Sequence, residues 1–320
     1  MITVTRDRFP LARTFTIARG SKTEAQVLTV RISRGGAQGW GECVPYPRYG
    51  ATLDSEAALI AGLPEGITRP ALQGLLPAGA ARNAVDCALW DHEAKRTGRP
   101  VWQLAGLAAP EPVPVAYTLS LDTPDAMREQ AALNAHRPLL KIKLGTPDDM
   151  PRLEAVRIGA PQSRLIVDAN EGWTPKVYTD LAPHLIRLGV AMVEQPLPAG
   201  ADDMLAEIAH PLPICADESC HDRASLSGLM GKYDLVNIKL DKTGGLTEAL
   251  AMCVDAKKMG FGVMVGCMVA SSLAMAPAVL LAQGCDFCDL DGPLLLARDR
   301  ENPMTYDAQG VHPADPALWG

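Results

Sequence analysis

Two lysines share one short apolar segment, residues 139–144, in which Lys141 and Lys143 alternate with leucine and isoleucine. Side chains alternate along a β-strand, so both lysines point to one side while the apolar residues pack on the other. Neighbouring ammonium groups lower each other's proton affinity, which suits a general base working near neutral pH. The alternative is a lysine pair exposed beyond the end of a strand.

Three carboxylates, Asp168, Glu194 and Asp217, each end a separate apolar run. If these runs are adjacent strands, about 4.8 Å apart, the three acids converge. Close carboxylates repel unless a cation neutralises them, and oxygen ligands with open coordination positions suit Mg²⁺. The acids therefore predict a magnesium site, with three unrelated surface acids as the alternative.

A third lysine, Lys239, shares one strand face with Asn237 and Asp241. In a closed barrel of eight strands, Lys239 faces Lys143 across the opening, so a substrate between them has a base on each face. Asp241 is then placed to hold the Lys239 ammonium.

Asp289 and Asp291 also share a strand face, away from the three metal carboxylates. Two anions there suit a cationic group of a substrate, such as an α-ammonium, and surface loop acids are the alternative. A hydrogen beside a carboxylate is weakly acidic, so its removal needs Mg²⁺ and a cationic lysine to stabilise the enediolate. Opposed lysines would remove the proton from one face and return it to the other.

Eight short apolar runs carry these residues, and each is followed by a polar loop and a helical pattern. The runs are 113–118, 139–144, 165–168, 190–194, 214–217, 235–240, 261–266 and 287–290. Strands alternating with helices predict an α/β chain with a parallel sheet, and eight such units predict a closed (β/α)₈ barrel. Barrels of this kind carry their chemistry at the C-terminal ends of the strands.

The first part of the chain has a different pattern. Short strands at 2–5, 25–32 and 40–44 and a helix at 81–96 predict an α+β unit. Prolines near residue 112 mark its end. We expect domains at 1–112 and 113–297, and a segment 298–320 that returns to the first domain.

The composition excludes several classes of protein. A net charge of −7 without basic and aromatic clusters argues against nucleic acid. Eight scattered cysteines indicate reduced thiols in the cytosol. Residues 1–6 lack the apolar core of a signal peptide, and the uncharged stretch 261–282 predicts a strand and a buried helix. We predict a cytoplasmic protein without a membrane partner. A homo-oligomer remains open.

The motifs together resemble the enolase superfamily, in particular its muconate-lactonizing subgroup, over essentially the whole chain. The segments that carry this resemblance are Lys141-Ile-Lys143, Asp168-Ala-Asn170, Glu194-Gln-Pro196, Asp217-Glu-Ser219 and residues 237–245. Asp289-Leu-Asp291 and residues 17–21, 41–50 and 77–83 are similar to the dipeptide epimerases of that subgroup. The resemblance implies an enolase-type, modified (β/α)₈ barrel with an α+β capping domain, whose loops near 19–24 and 46–50 close the site.

The resemblance also implies a role for each candidate residue. It implies Mg²⁺ on Asp168, Glu194 and Asp217, acid/base roles for Lys143 and Lys239, Lys141 against the substrate carboxylate, Asp289 and Asp291 on a dipeptide ammonium, Arg19 on a glutamate carboxylate and Thr118 as a hydrogen-bonding residue. The implied reaction is epimerisation of L-Ala-D-Glu and L-Ala-L-Glu by two-base 1,1-proton transfer, in the recycling of murein peptides.

Two other functions stay open. The same site could serve N-acylamino acid racemisation, o-succinylbenzoate synthesis or cycloisomerisation, but those substrates lack the ammonium that Asp289 and Asp291 would bind. A barrel without catalytic activity is the other, and opposed lysines argue against it. Many relatives carry a Glu after the seventh strand, whereas residues 266–272 here carry no acid. Without that Glu, the candidate Arg19 favours an acidic rather than a basic second residue of the dipeptide.

Overall fold

Three antiparallel strands open the chain: β1 (Ile2–Ile17), β2 (Gly20–Arg34) and β3 (Ala37–Cys43). The computed structural model describes all residues, 1–320. The strands are longer than the runs predicted at 2–5, 25–32 and 40–44, because their outer parts are polar and pair through the backbone. The predicted closing loop at 19–24 is mostly strand, since β1 and β2 form a hairpin in which Ile17 pairs with Gly20.

Four helices follow this sheet: α1 (Leu53–Ala61), α2 (Arg69–Leu75), α3 (Ala80–Thr97) and α4 (Val101–Leu104). The helices α1 and α3 pack on the sheet, and α2 and α4 pack on α3. The helix predicted at 81–96 is confirmed as α3. It lies directly on β3, where two glycines permit the approach. A Cβ atom on Gly41 would lie 2.1 Å from the carbonyl oxygen of Ala84.

Eight parallel strands form the barrel, in sequence order around it. They are β4 (Tyr117–Leu119), β5 (Leu139–Lys143), β6 (Arg164–Asp168), β7 (Val190–Glu194), β8 (Ile214–Ala216), β9 (Leu235–Lys239), β10 (Gly262–Gly266) and β11 (Phe287–Asp289). The ends of the sheet meet where the amide of Ala116 donates to the carbonyl of Cys288 at 2.8 Å. The predicted barrel is therefore confirmed, and β5 and β9 lie on opposite sides of it.

The outer layer departs from a regular barrel. Its helices are α5 (Pro124–Leu133), α6 (Met150–Gly159), α7 (Pro175–Arg187), α8 (Leu240–Thr243), α9 (Leu246–Lys258) and α10 (Ser272–Ala282). The helices expected after β7, β8 and β11 are only 3₁₀ segments, Asp203–Ala206, Arg223–Leu229 and Gly292–Leu295. Proline and glycine account for the segment after β7, since residues 196–213 contain four prolines and Gly200.

The stretch 261–282 forms β10, a short loop and α10, as predicted. No helix of the protein is both long and apolar enough to cross a membrane.

The last residues contact both parts of the molecule. The short pair β12 (Tyr306–Asp307) and β13 (Gly310–Val311) lies beside the segment that leads into β4, where the amide of Val113 donates to the carbonyl of Val311 at 2.9 Å. Farther on, the indole Nε1 of Trp319 donates to the carbonyl of Cys87 in α3 at 3.1 Å. The end of the chain thus ties the helix of the first unit to the barrel.

The close contact of α3 with β3 predicts a cost for any side chain at Gly41. We expect Gly41→Ala to lower the free energy of unfolding by about 3 kcal/mol, because the new methyl group meets backbone atoms that cannot move independently. Urea unfolding followed by circular dichroism measures this. The control is Gly74→Ala in α2, where a Cβ atom would meet nothing within 4 Å, and we expect it to raise stability by about 0.5 kcal/mol. Equal effects of the two substitutions would contradict this account of the contact.

Candidate active site

A cavity of about 240 Å³ lies between the C-terminal ends of the barrel strands and the hairpin of the first unit. The barrel contributes most of its charged and polar lining. These residues are Thr118, Lys141, Lys143, Asn170, Asp217, Glu218, Lys239, Asp289 and Asp291. The first unit covers the cavity with residues of the β1–β2 hairpin and with Tyr46 and Tyr49. The charged residues at the strand ends are thus covered by a separate sheet, the arrangement expected of a capping domain.

Lys141 lies at the centre of the charges, with a side chain that is 1% exposed. Its Nζ atom is 2.6 Å from Glu194 Oε2, 2.6 Å from Asp289 Oδ2 and 3.2 Å from Asp168 Oδ2. Burial lowers the pKa of the Lys141 ammonium, but the three carboxylates together raise it well above the usual value. The expectation that Lys141 and Lys143 lower each other's proton affinity is therefore wrong for Lys141, because its carboxylate neighbours outweigh the second lysine.

Lys143 and Lys239 stand on opposite strands, and each contacts one carboxylate of the predicted metal site. Lys143 Nζ lies 2.5 Å from Asp168 Oδ2, and Lys239 Nζ lies 2.7 Å from Asp217 Oδ2. Both side chains line the same cavity. The predicted arrangement, with one amine on each side of an enclosed space, is present.

Asp168, Glu194 and Asp217 converge as the sequence predicts. One carboxylate oxygen of each lies within 4.8 Å of the others, and all three residues are buried. Burial and the adjacent Asp168 carboxylate raise the pKa of Glu194 to about 7, so the lysines do not fully compensate the charge of this carboxylate. Three hard oxygen donors at this spacing fit a divalent cation, and these residues would hold it.

A fourth lysine, which the sequence analysis did not identify, binds Asp217 on the side away from the cavity. Lys242 Nζ donates to Asp217 Oδ1 at 2.6 Å and to the carbonyl of Asn237 at 3.1 Å. Lys242 follows β9 by one turn of α8, so the strand alternation that revealed Lys239 could not reveal it. The contact leaves the second oxygen of Asp217 on the cavity side, beside Lys239.

Asp241 does not hold Lys239, contrary to expectation. The chain enters α8 directly after Lys239, so the strand alternation ends there and Asp241 turns toward the first unit. Asp241 Oδ1 accepts hydrogen bonds from Asn83 Nδ2 at 2.8 Å and from the amide of Val44 at 3.1 Å. Burial raises the pKa of Asp241 to about 7. Asp241 thus belongs to the contact between barrel and cap.

Asp289 and Asp291 both reach the cavity, where the structure gives them different surroundings. Asp289 contacts Lys141 through Oδ2, whereas its Oδ1 atom is buried without a hydrogen-bond partner. Asp291 Oδ2 accepts from the backbone amide of Thr118 at 2.6 Å. Burial and the charge of Asp289 raise the pKa of Asp291 to about 6. The sequence placed Asp289 far from the metal carboxylates, but the Lys141 ammonium bridges it to them.

Arg19 lines the cavity edge, where its guanidinium already contacts acids. Its Nη1 atom lies 3.0 Å from Glu171 Oε2, and its Nη2 atom lies 2.6 Å from Glu218 Oε1. Arg48 also contacts Glu171, at 2.7 Å. The hairpin and the segment 46–50 are therefore both attached to the barrel through Glu171.

Lys22 is a cavity residue that the sequence reasoning missed. It lies three residues beyond Arg19, on β2, and makes no ion pair with a carboxylate. Burial and the nearby Lys143 ammonium lower the pKa of Lys22 to about 8. The only sequence indication was its place within the region 19–24 implied to cover the site.

Comparison with known proteins agrees with this geometry. The family model for the mandelate racemase / muconate lactonizing enzyme N-terminal domain matches residues 1–106, and the enolase C-terminal domain-like model matches residues 125–308. The chain belongs to the enolase superfamily. Curated relatives of the chain include epimerases and racemases, and the chain is accordingly an isomerase of this kind.

Two curated relatives are similar over most of their length. The L-Ala-D/L-Glu epimerase of Escherichia coli is 47% identical over 97% of this chain and 99% of its own. The N-acetyl-D-glutamate racemase of Pseudoalteromonas is 46% identical over 88% of this chain and 91% of its own. The two relatives act on different glutamate derivatives, so overall similarity alone does not choose the substrate.

Solved structures share the complete fold. An enolase family member from Agrobacterium tumefaciens with homology to dipeptide epimerases, solved with bound sodium and L-Ala-L-Glu, is 53% identical and superposes with a TM-score of 0.98 over 100% of this chain and 99% of its own. A dipeptide epimerase from Enterococcus faecalis, complexed with Mg and L-Leu-L-Tyr, is 28% identical with a TM-score of 0.90 over 100% and 99%.

The raised pKa of Asp241 predicts a pH-dependent stability. The folded protein keeps the proton of Asp241 up to about pH 7, whereas the unfolded chain releases it near pH 4. The folded state therefore binds more protons in this window, and its stability falls as the pH rises. We expect the melting temperature of Asp241→Asn, relative to wild type, to be higher at pH 7.5 than at pH 4.5.

Differential scanning calorimetry at the two pH values measures this difference. The control is Asp148→Asn, at an exposed carboxyl, for which we expect the same offset from wild type at both values. An Asp241→Asn offset that does not change with pH would exclude a protonated Asp241 in the folded protein.

Proposed function

We propose that this isomerase epimerises L-Ala-D-Glu and L-Ala-L-Glu by magnesium-dependent, two-base 1,1-proton transfer. The observation that carries the proposal is the pair Lys143 and Lys239, on opposite strands of the barrel and lining one enclosed cavity. A proton on an α-carbon held between two amines can be removed from one face and replaced from the other. The configuration at that carbon then inverts.

The remaining buried charges support this chemistry. A divalent cation on Asp168, Glu194 and Asp217, taken here to be Mg²⁺, would supply positive charge that stabilises an enediolate. Lys141 stays protonated among its carboxylates and directs its ammonium toward the substrate carboxylate. Lys143 and Lys239 exchange the roles of base and acid between the two diastereomers. The side on which the proton departs decides which of them acts as the base.

Substrate orientation follows from the two ends of the cavity. Asp289, with one oxygen unpartnered, and Asp291 form an anionic end that fits the α-ammonium of a dipeptide. Lys22 provides a cation on the covering hairpin without a carboxylate of its own, and we assign it the glutamate side chain. The resemblance implies Arg19 in that role, but because Arg19 contacts Glu171 and Glu218, we propose Lys22 in its place.

Racemisation of an N-acylated glutamate is the second candidate. The similarity to the N-acetyl-D-glutamate racemase supports it, since the same lysines and metal would serve both reactions. An N-acyl group carries no charge, so Asp289 and Asp291 would then face an uncharged amide. These two acids make the dipeptide the better candidate.

The cellular setting is part of the same proposal. Eight cysteines form no disulfide, which fits a reducing cytoplasm. A dipeptide of alanine and glutamate fits the recycling of murein peptides, to which we assign the reaction.

Each opposed lysine is expected to be essential. We expect Lys143→Ala and Lys239→Ala each to abolish epimerisation, because removal of either amine leaves one face of the α-carbon without a proton donor or acceptor. Proton NMR of L-Ala-D-Glu in D₂O with enzyme and Mg²⁺ follows both loss of the glutamate α-proton and formation of the L,L diastereomer. Lys176→Ala, at an exposed lysine of α7, is the control and should react like wild type.

The same experiment separates the two candidate functions. We expect exchange to stop after removal of divalent metal with EDTA and to return when Mg²⁺ is added. Near-native turnover by either lysine variant would exclude the two-base mechanism. Exchange with N-acetylglutamate but not with the dipeptide would favour the second candidate and leave Asp289 and Asp291 without a role in binding.

Lys22 is expected to determine the preference for an acidic side chain. Lys22→Met should raise KM for L-Ala-L-Glu by about tenfold or more, since a hydrogen bond to a charged group contributes about 1.5–3 kcal/mol. KM for L-Ala-L-Gln, with a neutral side chain of the same size, should change much less. Steady-state kinetics with both dipeptides tests this, with Lys176→Met as the matched control. An equal change in KM for both dipeptides would show that Lys22 does not contact the carboxylate.

A further inference from the structure

Gln195 connects two of the proposed metal ligands. It follows Glu194 directly at the end of β7 and is fully buried. Its φ is +36°, a backbone conformation that residues other than glycine rarely adopt. Its Oε1 atom accepts from the backbone amides of Asp217 at 2.9 Å and Ser219 at 3.1 Å. The side-chain amide of Gln195, next to the proposed ligand Glu194, thus holds the backbone of the proposed ligand Asp217 at the end of the adjacent strand.

The other end of the Gln195 amide faces hydroxyl groups. Its Nε2 atom lies 2.9 Å from each of three acceptors, the carbonyl of Leu197, Ser219 Oγ and the hydroxyl of Tyr233, which share its two hydrogens. An amide can present its oxygen or its nitrogen in either direction, so its neighbours must decide which way it points. The backbone amides of Asp217 and Ser219 can only donate, so the Gln195 oxygen must lie on their side. The two hydroxyls on the other side must then accept hydrogen bonds from the Gln195 nitrogen.

Asp202 determines the direction of both hydroxyls. Its Oδ2 atom lies 2.6 Å from Ser219 Oγ and 2.6 Å from the hydroxyl of Tyr233. A carboxylate only accepts hydrogen bonds, so each hydroxyl donates its single proton to Asp202 and offers lone pairs to Gln195. The orientation of these bonds runs from Asp202 through the hydroxyls and Gln195 to the amide of Asp217.

We propose that Gln195 and Asp202 are positioning residues for the divalent-metal site, acting through this chain of hydrogen bonds. The inference rests on the metal site proposed above. Asp202 does not line the cavity, and its outer oxygen Oδ1 contacts Lys232 at 2.7 Å. It acts on Asp217 only indirectly, by taking the protons of the two hydroxyls so that both can accept from the Gln195 amide. Gln195 in turn keeps the ends of β7 and β8, with Glu194 and Asp217, at a constant separation.

The positioning role is tested by metal binding rather than by turnover. We expect Gln195→Met, which keeps the size of the side chain but removes both polar ends, to raise the Kd for Mg²⁺ by about 10- to 100-fold. Isothermal titration of the full-length protein with MgCl₂, without substrate, measures it. The matched control is Gln73→Met, which removes an amide that donates to the carbonyl of Arg69 and to Asp86 in the first unit. We expect it to leave the Kd unchanged even if the melting temperature falls.

A milder variant covers the case in which Gln195→Met does not fold. Tyr233→Phe removes one hydroxyl between Asp202 and Gln195 and should raise the Kd for Mg²⁺ by about threefold, the effect of one hydrogen bond. An unchanged Kd in every variant that folds would overturn the positioning role. Failure of wild type to bind Mg²⁺ would instead remove the metal site itself, and this proposal with it.

Discussion

Burial of charge in the barrel mouth is the constraint that governs this structure. Lys141 is almost fully enclosed with Asp168, Glu194 and Asp289 around its ammonium. Removing the Lys141 ammonium would leave its buried carboxylates uncompensated, which is far more costly than losing an exposed ion pair. Each strand end must therefore stop at a definite place, and the loops beyond must supply hydrogen bonds that keep it there.

The first unit depends on the same constraint, because buried charges are effective only if water is kept away. It is attached to the barrel by polar contacts: Asp86 of α3 accepts from the amide and hydroxyl of Thr247 at 2.9 and 2.7 Å, and Arg82 donates to the carbonyl of Thr243 at 2.6 Å. These contacts lie at the first turns of α9 and the end of α8. The cap is therefore anchored immediately behind Lys239.

The sequence predicts those site residues whose positions follow the side-chain alternation of a strand, and it misses those that lie outside such a pattern. Alternation in a strand was enough to bring Lys141, Lys143 and Lys239 inside the barrel, and the regular spacing of the runs was enough to close it. Lys242 and Asp241 were missed or misassigned because a short helix begins at the strand end. Lys22 and Gln195 lie beside residues that are distant in sequence, and no periodicity along one chain reveals such contacts.

The position of Lys22 has a consequence for how this protein can change over evolutionary time. The lysines proposed to move protons lie on the barrel strands, whereas Lys22, assigned above to side-chain recognition, lies on a hairpin of a separate sheet. Mutations in that hairpin can alter the accepted side chain while the buried charges keep their partners. One catalytic apparatus can thus be inherited intact by descendants that select different substrates.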